Sequence, residues 1–585
     1  MSPAQDEIPE ALYGMPEIFL GASSASAANI KAKTPQIKIN TSTKAETRPE
    51  AAAVHPATEF VRHVLLHSLA NLVALVCNGM LAFLLPRWLS MERYGYYRLF
   101  ILYGSFAGLL HFGLLDGALV RWAGRSRQRM NAELRRSLIF LLLQHAAFLI
   151  PALAVLIFFF RHQPWFALGL SIVAYALLWN AAVLGQFALQ AKKSFDVLSA
   201  VTVINPAVLL AIVITLHYCG RLHLEVLLAA YLAAWLASGF ATWLILLEKY
   251  PGHIKRSRER LRPRSEDKED KNEKKEGIDD TQRLASQRRT ALRLGGTKLF
   301  WATIPKNVSL RKIWQVGASN IAVGWSILVA LVVTNLALSL DRIAVSLSFS
   351  IRDFAIYSLA ANALAVVNTV NLSVSRVVFP YLSDGLGDQL RIRAYGWGEA
   401  TLMALWALSL AGYFPLRFLI ERLLPAYQPS LPVLRLLMLS TGLTAAIYIL
   451  HANYFRSSLR LGALLAGASV GLAAAALFLA IARRGHRLVN MSWAMLGAVA
   501  LWWTVDEFLL RRQIIRTPLA IARTLVFTLT CGSLFLLSAA VSYRWLGALV
   551  YCGLAALVTT AAYGPTLQSL PRWGRWSIDP PAALP

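Results

Sequence analysis

The chain has 585 residues, of which 57% are hydrophobic and 15% charged, and its 58 Lys and Arg against 31 Asp and Glu give a formal charge of +27. So little charge over so long a chain, with a mean hydropathy of +0.51, excludes an ordinary water-soluble domain and makes the bilayer the solvent. The basic residues sit mostly between apolar runs, as charges that set membrane orientation do, so no nucleic-acid partner is expected. The four cysteines, Cys77, Cys219, Cys531 and Cys552, lack the spacing of a disulfide framework or zinc site.

Residues 1–58 are rich in Ala, Ser, Thr and Pro and read as a disordered cytoplasmic tail without a signal-peptide core. Apolar runs of the length that crosses a bilayer as helix then predict a six-helix bundle over 59–248. Its spans are Val64–Leu85, Tyr97–Val120, Ser137–Phe160, Trp165–Leu189, Phe195–Tyr218 and Leu224–Leu247. Residues 249–312 read as a charged cytoplasmic linker, either a solvated connector or a surface for anionic headgroups. A second six-helix bundle is expected over 313–482, with Ile313–Leu340, Ile356–Phe379, Trp397–Ile420, Pro432–Tyr454 and Leu461–Ala482. Additional helices follow over 483–566, at Val489–Leu510, Leu519–Ser542 and Trp545–Tyr563, and a short tail over 567–585. The expected fold is an all-α polytopic membrane protein of about 14 transmembrane helices in two pseudo-symmetric bundles around a central cavity.

Lys and Arg orient the spans. With the N-terminus inside, the even loops are cytoplasmic, and they hold Arg121 to Arg136, Lys192 and Lys193, the 249–312 linker, and Arg511, Arg512 and Arg516. Both termini are then cytoplasmic. Arg483, Arg484 and Arg487 disagree: either the rule is locally outvoted or a late helix is misdrawn.

One turn occurs twice. "SMERYGYYRLF" (Ser90–Phe100) and "SIRDFAIYSLA" (Ser350–Ala360) follow the first and seventh spans. Six spans separate them, so the two units cross the membrane in the same direction, as two parallel halves require. Polar stripes mark inward faces: His63, His67, Asn71 and Asn78 on the first span, Gln315, Ser319 and Ser326 on the seventh, and Asn368, Asn371 and Ser375 on the eighth. They serve either interhelical hydrogen bonding or a hydrated cavity. Asp116 is the most membrane-embedded carboxylate, a coupling candidate for a proton or sodium or a partner for a neighbouring helix. Asp506 and Glu507 lie near a helix end, where solvation is the default. Neither a phosphate-cradling loop, nor a His-Glu metal helix, nor a nucleophile elbow is present, so no enzyme activity, cofactor or metal is expected.

The unit "YGYYRLF…GLLDGALVRWAG", the later "SLDRIAVSLSFSIRDFAIYSLAANALAVVNTVNLSVSRVVFPYLS" and the "LLPAY" at Leu423–Tyr427 resemble the bacterial polysaccharide (O-antigen) flippases. These belong to the superfamily that also holds the multidrug exporters and lipid II flippases. The resemblance runs over roughly Val61 to Tyr563, excluding the linker. It implies two bundles opening to alternate sides and a bacterial inner-membrane location. It implies as substrate an isoprenoid-diphosphate-linked oligosaccharide, flipped from the cytoplasmic to the outer leaflet among membrane lipids.

For such a substrate, arginine suits the diphosphate. The candidates are Arg121 and Arg376, which serve equally well as snorkelling anchors. Asn71, Asn78, Asn368 and Asn371 are candidates for sugar hydroxyls, and His67 shares their face. Arg342 beside Asp341 reads as an ion pair. Two alternatives stand: a multidrug-type cation antiporter of the same fold, and a membrane glycan polymerase or ligase, for which Glu92 is the one acidic residue of the first outer loop.

Overall fold

The computed structural model describes residues 56–122, 127–163, 165–192, 194–248, 309–364, 388–457, 460–511, 518–541 and 543–569. Most of the expected N-terminal tail and most of the linker lie outside them, as do Asn368, Asn371, Ser375 and Arg376. The described residues are helical and contain no strand.

In the first bundle the helices are α1 (Pro56–Trp88), α2 (Met91–Gly104), α3 (Leu114–Trp122), α4 (Arg127–Phe160), α5 (Phe166–Ala191), α6 (Phe195–Tyr218) and α7 (Leu224–Glu248). After the linker come α8 (Leu310–Ala337), α9 (Leu340–Ser348), α10 (351–364), α11 (Asp388–Ala411), α12 (Tyr413–Leu423) and α13 (Ser430–Ala445). Then follow α14 (Ala452–Ser457), α15 (Leu461–Ala482), α16 (Leu488–Arg511), α17 (Pro518–Ala540) and α18 (Arg544–Gln568).

Among the described residues, twelve helical stretches are long and apolar enough to cross a bilayer. The pair Met91–His111 and Leu114–Trp122, bent by 59°, is either a broken thirteenth span or a re-entrant loop. The start of the expected Ile356–Phe379 span is helical in α10, and its remainder lies outside the described residues. This is the all-α polytopic membrane fold read from the sequence.

The bend between α2 and α3 has a local cause. A 3₁₀ turn at Ala107–His111 ends in Phe112 and Gly113, both with positive φ (48° and 82°). Glycine adopts that conformation freely, whereas phenylalanine is strained there. Pro151 and Pro206 lie inside α4 and α6, which run on as helices. Pro415 falls in the first turn of α12, where the missing N–H costs little.

Among the described residues four spans fall within about 310–485, and α16, which had been set apart with the additional helices, packs along α15 and α13. α17 and α18 pack on each other and on α11. Both helices flanking Arg483–Arg487 are formed as expected. The basic residues there lie in the loop between them.

A continuous apolar core crosses between the bundles, from Leu85 and Tyr94 to Phe354, Tyr357 and Tyr427. A second fills the first bundle around Leu114, Trp122, Leu141 and Leu184, and takes in Ile313 of α8. Outward apolar side chains such as Phe158 and Leu549 are 80% and 72% exposed, as lipid-facing residues are in the absence of lipid.

Candidate functional site

The two copies of the repeated turn meet. Ser90 and Ser350 cap the helices that follow them, each side-chain oxygen accepting from the backbone N–H three residues on, Arg93 at 3.3 Å and Asp353 at 3.2 Å. Glu92 of the first turn pairs with Arg352 of the second at 2.8 Å. The Tyr103 and Ser346 hydroxyls lie 2.9 Å apart, and Tyr94 sets its ring edge-on to Tyr427 at 5.7 Å. A Cβ on Gly95 would come within 2.6 Å of the Ile351 carbonyl oxygen, so glycine is what lets the turns touch. The repeats thus face each other across the bundle boundary. The ion pair itself is more than half exposed and contributes roughly 0–1 kcal/mol.

At the opposite end α8 leans out of its own bundle onto α3 and α4. Arg121, closing α3, donates to Ser319 and, at 2.7 Å, to the Asn320 side-chain oxygen, and lies 3.8 Å from Glu133 of α4. The Asn320 amide donates in turn to Ser137 of α4 at 3.1 Å. The backbones make this reach possible. A Cβ on Gly117 would land on the Asn320 carbonyl, and one on Gly324 on the Gly113 carbonyl. Arg121 is therefore a crossbar between the bundles, and its partner Asn320 is fully buried.

Between these two contacts stands a cationic pair that sequence reasoning missed. Arg98 lies on α2 and Arg342 on α9, one from each bundle, close enough for their charges to repel. The enclosed Nε of Arg98 has no hydrogen-bond partner. Arg342 donates to Ser339 at 2.8 Å and retains 26% side-chain exposure. The neighbouring carboxylate, Asp341, already accepts from the Tyr357 hydroxyl at 2.8 Å and the Arg342 backbone N–H at 2.7 Å. Its approach to the Arg342 guanidinium is 4.0 Å, a loose version of the expected ion pair. The carboxylate beside Arg342 is thus already held by other donors.

The remaining sequence candidates are scattered. Asn71 is half-buried and Asn78 exposed on α1, and of His67 only its place in α1 is described. On α8, Gln315 and Ser326 are exposed and Ser319 half-buried, so the enclosed amide of that helix is Asn320. Asp116, 2% exposed, sits in the first turn of α3, where the helix N-terminus favours a negative charge. It lies 4.0 Å from His111 Nδ1, but that nitrogen accepts from the Gly113 N–H at 3.0 Å.

Asp506 and Glu507 overturn the expectation of solvation, being 0% and 3% exposed. Their enclosure comes from His451, which stands between them. The sequence signal was weak: a lone histidine in an apolar run, 55 residues upstream of Asp506.

No protein-family model matches the sequence, and no curated protein matches it. Among solved structures the chain is similar to the lipid II flippase MurJ in an inward closed conformation. The identity is 12% and the TM-score 0.57, over 86% of this chain and 99% of that one. It is also similar to an outward-facing multidrug resistance MATE family transporter of the MOP superfamily, at 14% identity and TM-score 0.47 over 77% and 93% of the two chains. A MOP superfamily transporter from Pyrococcus furiosus gives 13%, 0.44, 77% and 95%. The first of these likenesses shows the fold, that of an all-helical multi-pass membrane protein.

Proposed function

We propose that this protein is a flippase that moves an isoprenoid-diphosphate-linked oligosaccharide from the cytoplasmic to the outer leaflet. It would do so by opening its two bundles to alternate sides, in polysaccharide or O-antigen export at the bacterial inner membrane. The observation that carries this reading is the Arg98–Arg342 pair. A diphosphate cannot enter hydrocarbon unpaired. Two guanidinium groups from opposite bundles, one of them beside a carboxylate already held by Tyr357, suit an anion that draws the bundles together.

The lipid tail stays in the bilayer while the headgroup passes between the bundles. Arg121 then acts as the cytoplasmic crossbar, released from Ser319 and Asn320 when that side opens. Asn71, Asn78 and His67 on α1, with Asn368 and Asn371, offer hydrogen bonds to sugar hydroxyls, and Arg376 a further charge. A proton or sodium drives the cycle, with Asp116 the candidate in the first bundle.

The alternative, a cation antiporter, calls for a carboxylate-rich path, whereas the interbundle charges here are mainly guanidinium. In cells depleted of the protein, the lipid-linked glycan should accumulate on the cytoplasmic face and disappear from the surface, as read by extraction of the lipid-linked pool. Normal glycan display with no accumulation would refute the reading.

A further inference from the structure

The span Ser430–Phe455, which begins with α13, is the most enclosed of those described, at 89% buried. It carries Arg435 in its second turn. That side chain is half-buried, and its enclosed Nε has no hydrogen-bond partner. Among the described residues Arg435 makes no ion pair. A guanidinium inside a membrane span is costly unless an anion answers it.

Two residues of α12 share its surroundings. Tyr413 opens that helix and is 3% exposed. Arg417 stands one turn further on, so both lie on one face. The Tyr413 hydroxyl is close enough to feel the charges of Arg417, Arg435 and Glu421, and it makes no hydrogen bond among the described residues. Arg417 is fixed from two sides. Its Nε donates to Glu421 at 2.8 Å, and one terminal nitrogen donates to the carbonyls of Ala539 at 3.1 Å and Val541 at 3.4 Å. The other terminal nitrogen makes no such bond. Glu421 is thus engaged by Arg417, and no second carboxylate of the described residues faces Tyr413.

The group therefore offers donors without matching acceptors: two guanidinium groups and a phenol hydroxyl. A phosphate, whose oxygens accept from several directions, fits that set, and arginine binds it through its planar fork. The surroundings place the group near phosphates. Ala539 and Val541 lie at the end of α17, and just beyond them Trp545 of α18 packs on Phe418 of α12 with ring centroids 6.0 Å apart. Tyr543 and Trp545 are 79% and 58% exposed. Exposed Tyr and Trp at helix ends mark the boundary between hydrocarbon and headgroups.

We propose that Tyr413, Arg417 and Arg435 form a binding site for a phosphate group, carried by a phospholipid headgroup or present as a free anion, at the joint of α12, α13 and α17. The site uses none of the residues assigned to the transported headgroup and does not depend on the flippase reading. A phosphate held there links Arg435 of α13 to Arg417, which grips the end of α17, and so fastens α17 to the helix it packs against.

Phenylglyoxal, which modifies accessible arginine side chains, reads the site residue by residue. The purified full chain in nonionic detergent is treated alone, with phosphatidylglycerol, and with inorganic phosphate at constant ionic strength, and its peptides are then mapped by mass spectrometry. Arg484, exposed in the loop between α15 and α16, is the internal reference. Arg435 should react in the chain alone, since an opening that admits a phosphate admits the reagent. Phosphatidylglycerol or inorganic phosphate should then slow Arg435 and leave Arg484 unchanged. Protection by the lipid alone assigns a headgroup, and protection by inorganic phosphate assigns a free anion. Tyr413→Phe removes only the hydroxyl and should raise the concentration for half-protection by roughly tenfold. An inert Arg435 in the chain alone, equal reactivity under all conditions, equal protection of Arg484, or half-protection unchanged in Tyr413→Phe would each overturn the proposal.

Discussion

Gly324→Ala is expected to leave an inserted, folded protein that transports poorly because it no longer closes between α3 and α8. The added methyl group would occupy the place of the Gly113 carbonyl oxygen, which is backbone and fixed by the positive-φ turn beside it. Overpacking of this kind costs about 1–3 kcal/mol. The cost falls mainly on the closed state, because an opened seam has room for the methyl. A bias of that size shifts the closed–open ratio by roughly 5- to 150-fold. The readout is the alkylation rate of Ile313→Cys in a chain freed of its native cysteines, since Ile313 is buried (4%) against the first bundle. Labelling should accelerate in Gly324→Ala and stay unchanged in Gly553→Ala, where a Cβ meets no atom within 4 Å. Equal labelling of the two variants, with full transport by both, would show that the seam is not a gate.

The second large effect is at Arg98. If its guanidinium holds the anionic headgroup with Arg342, Arg98→Ala removes a charge-assisted contact of about 1.5–3 kcal/mol, slowing transport by roughly 10- to 150-fold. Arg98→Lys should keep part of the rate, since lysine retains the charge without the planar fork. Arg98→Glu should be the worst of the three, because its carboxylate would pair with Arg342 and repel a phosphate. The measurement is surface glycan beside its lipid-linked precursor at matched expression. Near-normal display by Arg98→Glu would remove the pair from the substrate path. A cation antiporter would respond in the opposite sense, gaining cation transport as the positive charge is lost.

The fold was largely legible because the bilayer imposes a length. Runs such as Phe195–Tyr218 and Leu461–Ala482 are apolar for nearly the whole thickness, and the helices begin and end at the same residues. The repeated turn was legible too, since a serine cap leaves a local signature, and the structure adds that its two copies touch. The packing of α16 along α15 and α13 was not legible, because every span there is similarly apolar.

The site was harder to read because its residues are ordinary one at a time. Arg98 looks like any basic residue beside an aromatic turn until Arg342 is placed opposite. Arg121 was visible as a helix-end arginine, but its partners lie 198 and 199 residues away on α8. Glycines are frequent in membrane helices, so Gly113, Gly117 and Gly324 carried no signal until their backbones were seen in contact. Asp506 and Glu507 suggested solvent because they lie near a helix end. Their burial depends on His451, displaced onto its face by a π turn that leaves no trace in periodicity.

The central claim is that this protein carries an anionic lipid-linked headgroup across the membrane. The direct measurement uses vesicles containing the full chain and a fluorescent isoprenyl-diphosphate-linked oligosaccharide initially confined to one leaflet, with an impermeant quencher added from the other side. The expected result is quenching that depends on the protein, is lost in Arg98→Glu, and is not reproduced with a fluorescent organic cation. Vesicles that move the organic cation while leaving the diphosphate-linked lipid in its original leaflet would contradict the account.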